Sequence, residues 1–187
     1  MRRNPEAFRN LRALIAVTLV ATAEALCQEK QANSEGSPAE RRVVVSIPDR
    51  KLALIENGKI VKIYATAVGA AASPTPSGTY KIAQRVANPA WYGPDKVVAP
   101  GKNNPVGTRW LGLSRKGYGI HGTNDPRSIG KRASHGCVRM RNRDVEDLFA
   151  RVAVGDVVEL HGERDAELAQ IFDTAGADPS MPAGGGQ

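Results

Sequence analysis

From Arg41 onward, short apolar runs alternate with polar turn clusters, a pattern that predicts a strand-rich domain. Val43 to Ile47 is a continuous run with three valines, the signature of a buried strand. Lys51 to Glu56 and Lys59 to Val68 flank Asn57-Gly58, the dipeptide that most strongly marks a tight β-hairpin. Ser73 to Gly78 ("SPTPSG") reads as a loop, and Thr79 to Ala83 as a further strand. Asn88 to Pro105 is rich in Pro and Gly and reads as a long loop carrying Trp91 and Tyr92; loops of this length in compact domains are often functional. Arg109 to Leu113 and Tyr118 to His121 predict two strands joined at Lys116-Gly117.

One firm helix is expected. Val145, Leu148, Phe149 and Val152 recur at i, i+3, i+4 and i+7, an apolar helical face. Asn142 stands where an N-cap belongs, and Asp144, Glu146 and Asp147 near the start favour the helix dipole. Asp156 to Leu160 predicts a last strand, and Glu163 to Asp173 a short helix with Leu168, Ile171 and Phe172 on one side. No internal repeat and no Rossmann or phosphate-loop glycine pattern is present.

The two ends read differently. Arg2, Arg3, Arg9 and Arg12 precede the apolar run Ala13 to Ala23, and small residues at Ala21, Ala23 and Ala25 offer cleavage sites, so 1–25 reads as a secretory signal peptide. The run is short of the ~20 residues that span a bilayer. Leu26 before Cys27 fits lipoprotein processing poorly. Residues 26–40 are polar and aperiodic, a flexible linker, and 162–187 reads as a short helix followed by a disordered tail. The expected domain is 41–161, mostly β, with one main helix after Cys137.

Composition narrows the function. The net charge is +7, but the basic residues are scattered without interleaved aromatics, which argues against a nucleic-acid partner. A basic exported protein suits an anionic envelope. Any membrane association would run through the signal segment alone.

The chemistry concentrates in Ser134 to Met140, "SHGCVRM", which holds one of the chain's two cysteines. Cys137 admits four readings. A disulfide could form only with Cys27, at the edge of the signal. A buried small hydrophobe is the ordinary fate of a lone cysteine, but His135, Arg139 and Arg141 make polar company. A zinc site could use His121, His135 and Cys137, although no dense Cys/His cluster or HExxH accompanies them. A nucleophile would need a base to generate thiolate, since a free thiol is mostly protonated at neutral pH. His121 before Gly122, or His135 two residues from Cys137, could serve; each could also be structural. Main-chain N–H groups around Gly136-Cys137 could hold an oxyanion.

These residues carry a resemblance. "YGIHGTNDPRSIGKRASHGCVRM" (Tyr118 to Met140), with "TPSGTYKI", "NNPVGTRWLGL" and "RNRDVEDLF" in order, resembles the L,D-transpeptidase catalytic domain, the YkuD-like family, over about Val43 to Leu160. The resemblance implies a β-sandwich-like fold and a reaction on peptidoglycan stem peptides, in cell-wall assembly outside the cytoplasmic membrane. Cys137 would be the nucleophile, His121 the general base, and His135 an assistant. Ser134, Gly136 and Gly122 would shape the site and its oxyanion hole. Arg139, Thr123, Trp91 and Tyr92 are the candidate substrate contacts; some relatives carry asparagine where Arg139 stands. The thiolate would attack the L-centre carbonyl of the third stem residue, release the terminal D-alanine and pass the acyl group to a second stem as a 3→3 cross-link. Transfer to water (an L,D-carboxypeptidase) or to a lipoprotein lysine would use the same nucleophile. No cofactor or metal is implied, a monomer is expected, and carbapenems would acylate the same cysteine. A non-catalytic wall- or zinc-binding module keeping the fold is the alternative of another class.

Overall fold

The computed structural model describes residues 40–174. The expected signal peptide, most of the expected linker and the expected tail beyond Thr174 lie outside the described residues. The fold is mostly β with two short helices, α1 (Asn142–Arg151) and α2 (Ala166–Thr174). The expected mostly β character is met: the strands form one mixed eight-stranded sheet and two small two-stranded ones.

The sheet is built around β1 (Arg41–Ser46), which pairs in parallel with β12 (Val157–His161) and antiparallel with β2 (Lys51–Glu56). Val43, Val44 and Val45 are all fully buried, because a central strand covered on both faces leaves no polar side. β2 turns into β3 (Lys59–Ala65) through Asn57 and Gly58, both at positive φ (50° and 74°), the conformation a two-residue hairpin turn requires. Beyond β12 the sheet continues through β5 (Gly78–Ala87), β8 (Arg109–Leu113), β9 (Gly119–His121) and β11 (Val138–Arg139).

One core joins side chains from all eight of these strands to Val145, Leu148 and Val152 of the α1 segment. A second, smaller core on the opposite face of β1 and β2 packs Val44, Ala53 and Ile55 under Leu168, Ile171 and Phe172 of α2. The predicted helical faces are therefore the buried ones. Phe149 lies at the margin, with the guanidinium of Arg85 4.2 Å from its ring centre.

Three expectations change. The run from Lys59 to Val68 is not one strand. At Thr66 the chain leaves the sheet edge, and Ala67 exchanges two 2.8 Å hydrogen bonds with Arg139. Val68–Gly69 (β4) then pairs in parallel with Arg132–Ser134 (β10). The loop 88–105 contains a small hairpin, β6 (Trp91–Tyr92) against β7 (Val97–Val98). Finally, Arg141 and not Asn142 is the residue before α1; the Asn142 side chain is engaged elsewhere, as described below. Among the described residues no helix is long and apolar enough to cross a membrane.

Candidate active site

Three adjacent strands set the centre of the site. In the β8–β9 pair Trp110 stands opposite His121, and in the β9–β11 pair His121 stands opposite Arg139. Register partners project to the same face, so the imidazole lies between an indole and a guanidinium. Trp110 and His121 stack with ring centres 5.5 Å apart and planes 25° apart. Cys137, two residues before Arg139, enters the same cavity, a cleft of about 640 Å³ lined also by Ser134, His135, Trp91 and Tyr92.

His121 is buried, and its Nδ1 lies 2.6 Å from the Gly122 carbonyl. A carbonyl can only accept, so Nδ1 carries the proton and Nε2 is the ring nitrogen with a free lone pair. Burial lowers the imidazole pKa to about 4; the Gly122 hydrogen bond opposes that shift, and the Arg139 charge adds to it. At neutral pH the ring is uncharged, the form a proton acceptor needs.

Cys137 is half-buried, with Sγ 3.7 Å from the Gly117 carbonyl. Burial pushes its pKa up, while a backbone hydrogen bond at Gly119 and the charge of Arg139 pull it down. The resting pair is thus thiol and neutral imidazole. The turn that presents the thiol is tied internally: Ser134 Oγ donates to the Cys137 carbonyl at 2.6 Å and accepts the Gly136 N–H at 3.1 Å. Gly136 sits at φ 109°, and a Cβ there would lie 2.8 Å from Tyr118 Cε1, so glycine is required both conformationally and by space. The Gly136 N–H, one of the two amides expected to face an oxyanion, is thus engaged by Ser134.

The other expected residues distribute unevenly. His135 is exposed and lines the cavity, as do the exposed Tyr92 and half-buried Trp91. Thr123 is buried but does not line the cavity; its Oγ1 accepts the Asp125 N–H at 3.0 Å, so it braces the loop after His121. Gly122 contributes its carbonyl to His121. Among the described residues no group of three or more His, Cys, Asp and Glu side chains is placed to hold a metal ion.

The expected site lacked three further residues. Trp110 carries no local signal, since only strand register puts it on His121. Asn142 Oδ1 accepts the Thr123 N–H at 3.1 Å and the Thr108 N–H at 3.3 Å, holding the segment after His121 against the start of β8. Asn104, fully buried, donates through Nδ2 to the carbonyls of Pro89, Val98 and Ala99 and accepts from Val106 N–H, so one side chain organises the loop that carries Trp91. The position of Asn104 in a Pro/Gly-rich loop was the available clue.

The family described as the L,D-transpeptidase catalytic domain (YkuD) matches residues 40–160 of the chain. The YkuD protein of Bacillus licheniformis, whose name places it among the L,D-transpeptidases, is 43% identical over 119 residues, 64% of this chain and 64% of that protein. The chain thus spans a little under two thirds of that relative's length. The solution structure of the catalytic domain of an Enterococcus faecium L,D-transpeptidase has a TM-score of 0.54 at 21% identity, covering 67% of this chain and all of that one. L,D-transpeptidase 3 of Mycobacterium tuberculosis, solved with a faropenem-derived adduct, has a TM-score of 0.55 at 19% identity, covering 67% of this chain and 61% of that one. The solved structures share the fold, and the family match extends across the sheet and every cavity-lining strand: the chain belongs to the YkuD-type L,D-transpeptidase catalytic domain family.

Proposed function

We propose that the protein is a cysteine acyltransferase acting on peptidoglycan stem peptides, an L,D-transpeptidase. The observation that carries the reading is the placement of the Cys137 thiol and the buried, neutral His121 imidazole in one cavity, within a domain of this family. Cys137 is the nucleophile and His121 the base. As Sγ bonds to the L-centre carbonyl carbon of the third stem residue, the thiol proton passes to His121 Nε2. The Cys137 amide and the dipoles of the Ser134–Cys137 turn stabilise the oxyanion. Collapse breaks the C–N bond, the imidazolium returns its proton to the departing D-alanine nitrogen, and a thioester remains. An amine of a second stem then attacks the thioester; its proton passes through His121 to Sγ, which leaves as the thiol. Burial holds the resting thiol protonated and the charge of Arg139 offsets this only in part, so the proton moves to His121 as the S–C bond forms.

The rest of the reading follows the same line. Residues 41–161 are the catalytic domain of a sandwich-like fold with its main helix after the cysteine. Residues 1–25 export it, residues 26–40 tether it, and the domain works as a monomer at the wall-facing side of the cytoplasmic membrane. His135 assists from the lip of the cavity, and Trp91, Tyr92 and Arg139 contact substrate. Carbapenems acylate Cys137.

Mass spectrometry of the mature protein incubated with a disaccharide-tetrapeptide tests this. Loss of D-alanine with a cross-linked dimer is the expected result. Tripeptide without dimer identifies the L,D-carboxypeptidase, and transfer only to a lipoprotein lysine identifies the attachment enzyme. Unchanged substrate, or full activity in Cys137→Ala, overturns the reading.

A further inference from the structure

Charge is spread unevenly over the described domain. Residues 88–140, which supply most of the cavity lining, hold nine lysines and arginines against two acidic residues, Asp95 and Asp125. The rest of 40–174 holds twelve of each sign, so the whole positive excess lies in the segments around the cleft. Three stretches carry it. Lys96 and Lys102 stand in the loop between the lining residues Tyr92 and Pro105, Arg115 and Lys116 directly precede Gly117, and Lys131 and Arg132 precede Ser134 and His135. All six are exposed, and none forms an ion pair with a described residue. The fold joins these stretches. Asn124 Nδ2 donates to the Asn103 carbonyl at 3.1 Å, tying the loop 122–133 to the loop 88–105. The Arg115 guanidinium lies 5.0 Å from the ring centre of Tyr118, and that ring borders Gly136 in the cysteine turn. Elsewhere charges are matched: Asp147, Asp156 and Glu159 each sit within ion-pair distance of a basic side chain. Like charges gathered around one opening repel each other, and a multiply charged anion relieves that repulsion.

We propose that this basic collar docks a linear anionic polymer of the envelope, one carrying a phosphodiester in each repeat, and so holds the mouth of the cleft against it. The inference goes beyond the transpeptidase reading and rests only on the exported location proposed with it. The chemistry of the collar selects the partner. Four of the six cations are lysines, flexible point charges that meet tetrahedral phosphate oxygens in many orientations; planar carboxylates are matched best by the arginine fork. Six unpaired cations on three stretches exceed what the few carboxylates of one stem peptide neutralise. A polymer with regularly repeated charge engages them in succession, and each contact raises the effective concentration for the next. A bilayer surface would also call for an apolar insertion face, whereas Tyr92 and Val97 are the only exposed large apolar side chains in 88–140.

The test is binding of the mature protein to fluorescently labelled poly(glycerol phosphate), read by anisotropy. Poly-L-glutamate of equal charge and phosphatidylglycerol vesicles are the comparison probes. Wild type should bind the phosphate polymer, with affinity falling at least about tenfold between roughly 50 and 200 mM salt, as contacts of exposed charges do. Lys116→Gln with Lys131→Gln should weaken binding roughly 3- to 20-fold, the range for two exposed ion pairs. Lys51→Gln with Lys59→Gln removes the same charge from β2 and β3, towards the other edge of the sheet, and should change it less than about 2-fold. Absence of binding by wild type, or a collar loss no greater than the control loss, overturns the proposal. Binding of polyglutamate or of vesicles as tight as that of the phosphate polymer overturns it as well. Should the collar variant not fold, Lys96→Gln with Lys102→Gln decides by the same criteria. Turnover enters none of these readings. Collar-dependent binding by a protein that leaves stem peptides unchanged keeps the docking and removes the transpeptidase reading; stem-peptide turnover without polymer binding does the reverse.

Discussion

The indole of Trp110 lies flat against the imidazole of His121, 5.5 Å between ring centres, as opposite members of an antiparallel strand pair. The contact buries a titratable ring without giving it a counter-ion. The imidazole pKa falls from 6.5 to about 4 in consequence. The unfolded chain therefore binds more protons than the folded one between these values. Stability is full above pH 6.5 and declines as pH falls towards 4, by roughly 3 kcal/mol from this group. Urea midpoints measured from pH 7 to pH 4 should show it, and His121→Asn should flatten the profile relative to wild type. An equal slope in both proteins would mean that other groups control acid unfolding.

The same balance predicts a reluctant thiol. Burial holds Cys137 protonated at neutral pH. Alkylation of Cys137 by iodoacetamide should therefore rise about tenfold per pH unit between pH 6 and 8, following the thiolate fraction. A rate that is already level over this range would show a resting thiolate–imidazolium pair.

Asn142 is a positioning residue acting through the loop after His121. Asn142→Ala leaves the amides of Thr108 and Thr123 without their acceptor, and should lower stability by about 1–3 kcal/mol and reduce kcat at least about tenfold. Asn142→Asp keeps the acceptor and should restore most of kcat. Thermal melts and stem-peptide turnover of the two variants check this; a full loss in the aspartate variant would point to the amide nitrogen.

Gly136→Ala meets both positive φ and the Tyr118 ring. Strain of about 1–3 kcal/mol should displace the turn and slow acylation of Cys137 by a carbapenem at least about tenfold. Adding Tyr118→Ala relieves the contact but leaves the backbone strained, so rescue should be partial. Intact-protein mass spectra taken over time give both rates.

Asn104 and Trp91 separate a cover from a surface loop. Asn104→Ala removes the anchor of the hairpin, with an expected cost of about 2 kcal/mol and a raised KM. Trp91→Ala should raise KM alone. Unchanged activity and KM in Trp91→Ala would remove the covering role.

The local features were legible because their causes are local. Asn57-Gly58 marks a turn through its own backbone preference, Val43 to Val45 announce a strand covered on both faces, and Val145, Leu148 and Val152 repeat with the helical period. The Ser134–Cys137 turn could be singled out because serine, glycine and cysteine occupy three of four positions, and the hydrogen bonds that close it span no more than three residues. Lys59 to Val68 misled for the opposite reason. Its residues suit a strand throughout, but at Thr66 pairing with a segment some seventy residues away outweighs local propensity.

Sequence by itself determined the strand-rich class, the one strong helix, the chemistry-bearing motif and its family. Tertiary structure alone decided which groups act on one another. Trp110, His121 and Arg139 form a row because two strand registers align them, one antiparallel and one parallel. Asn142 serves the loop after His121 and not its own helix because that loop and the segment entering β8 each bring one amide, of Thr123 and of Thr108, to its oxygen. The lowered pKa of His121, the raised thiol and the unmatched guanidinium of Arg139 all follow from burial, which belongs to the packed assembly and to no residue in the chain taken alone.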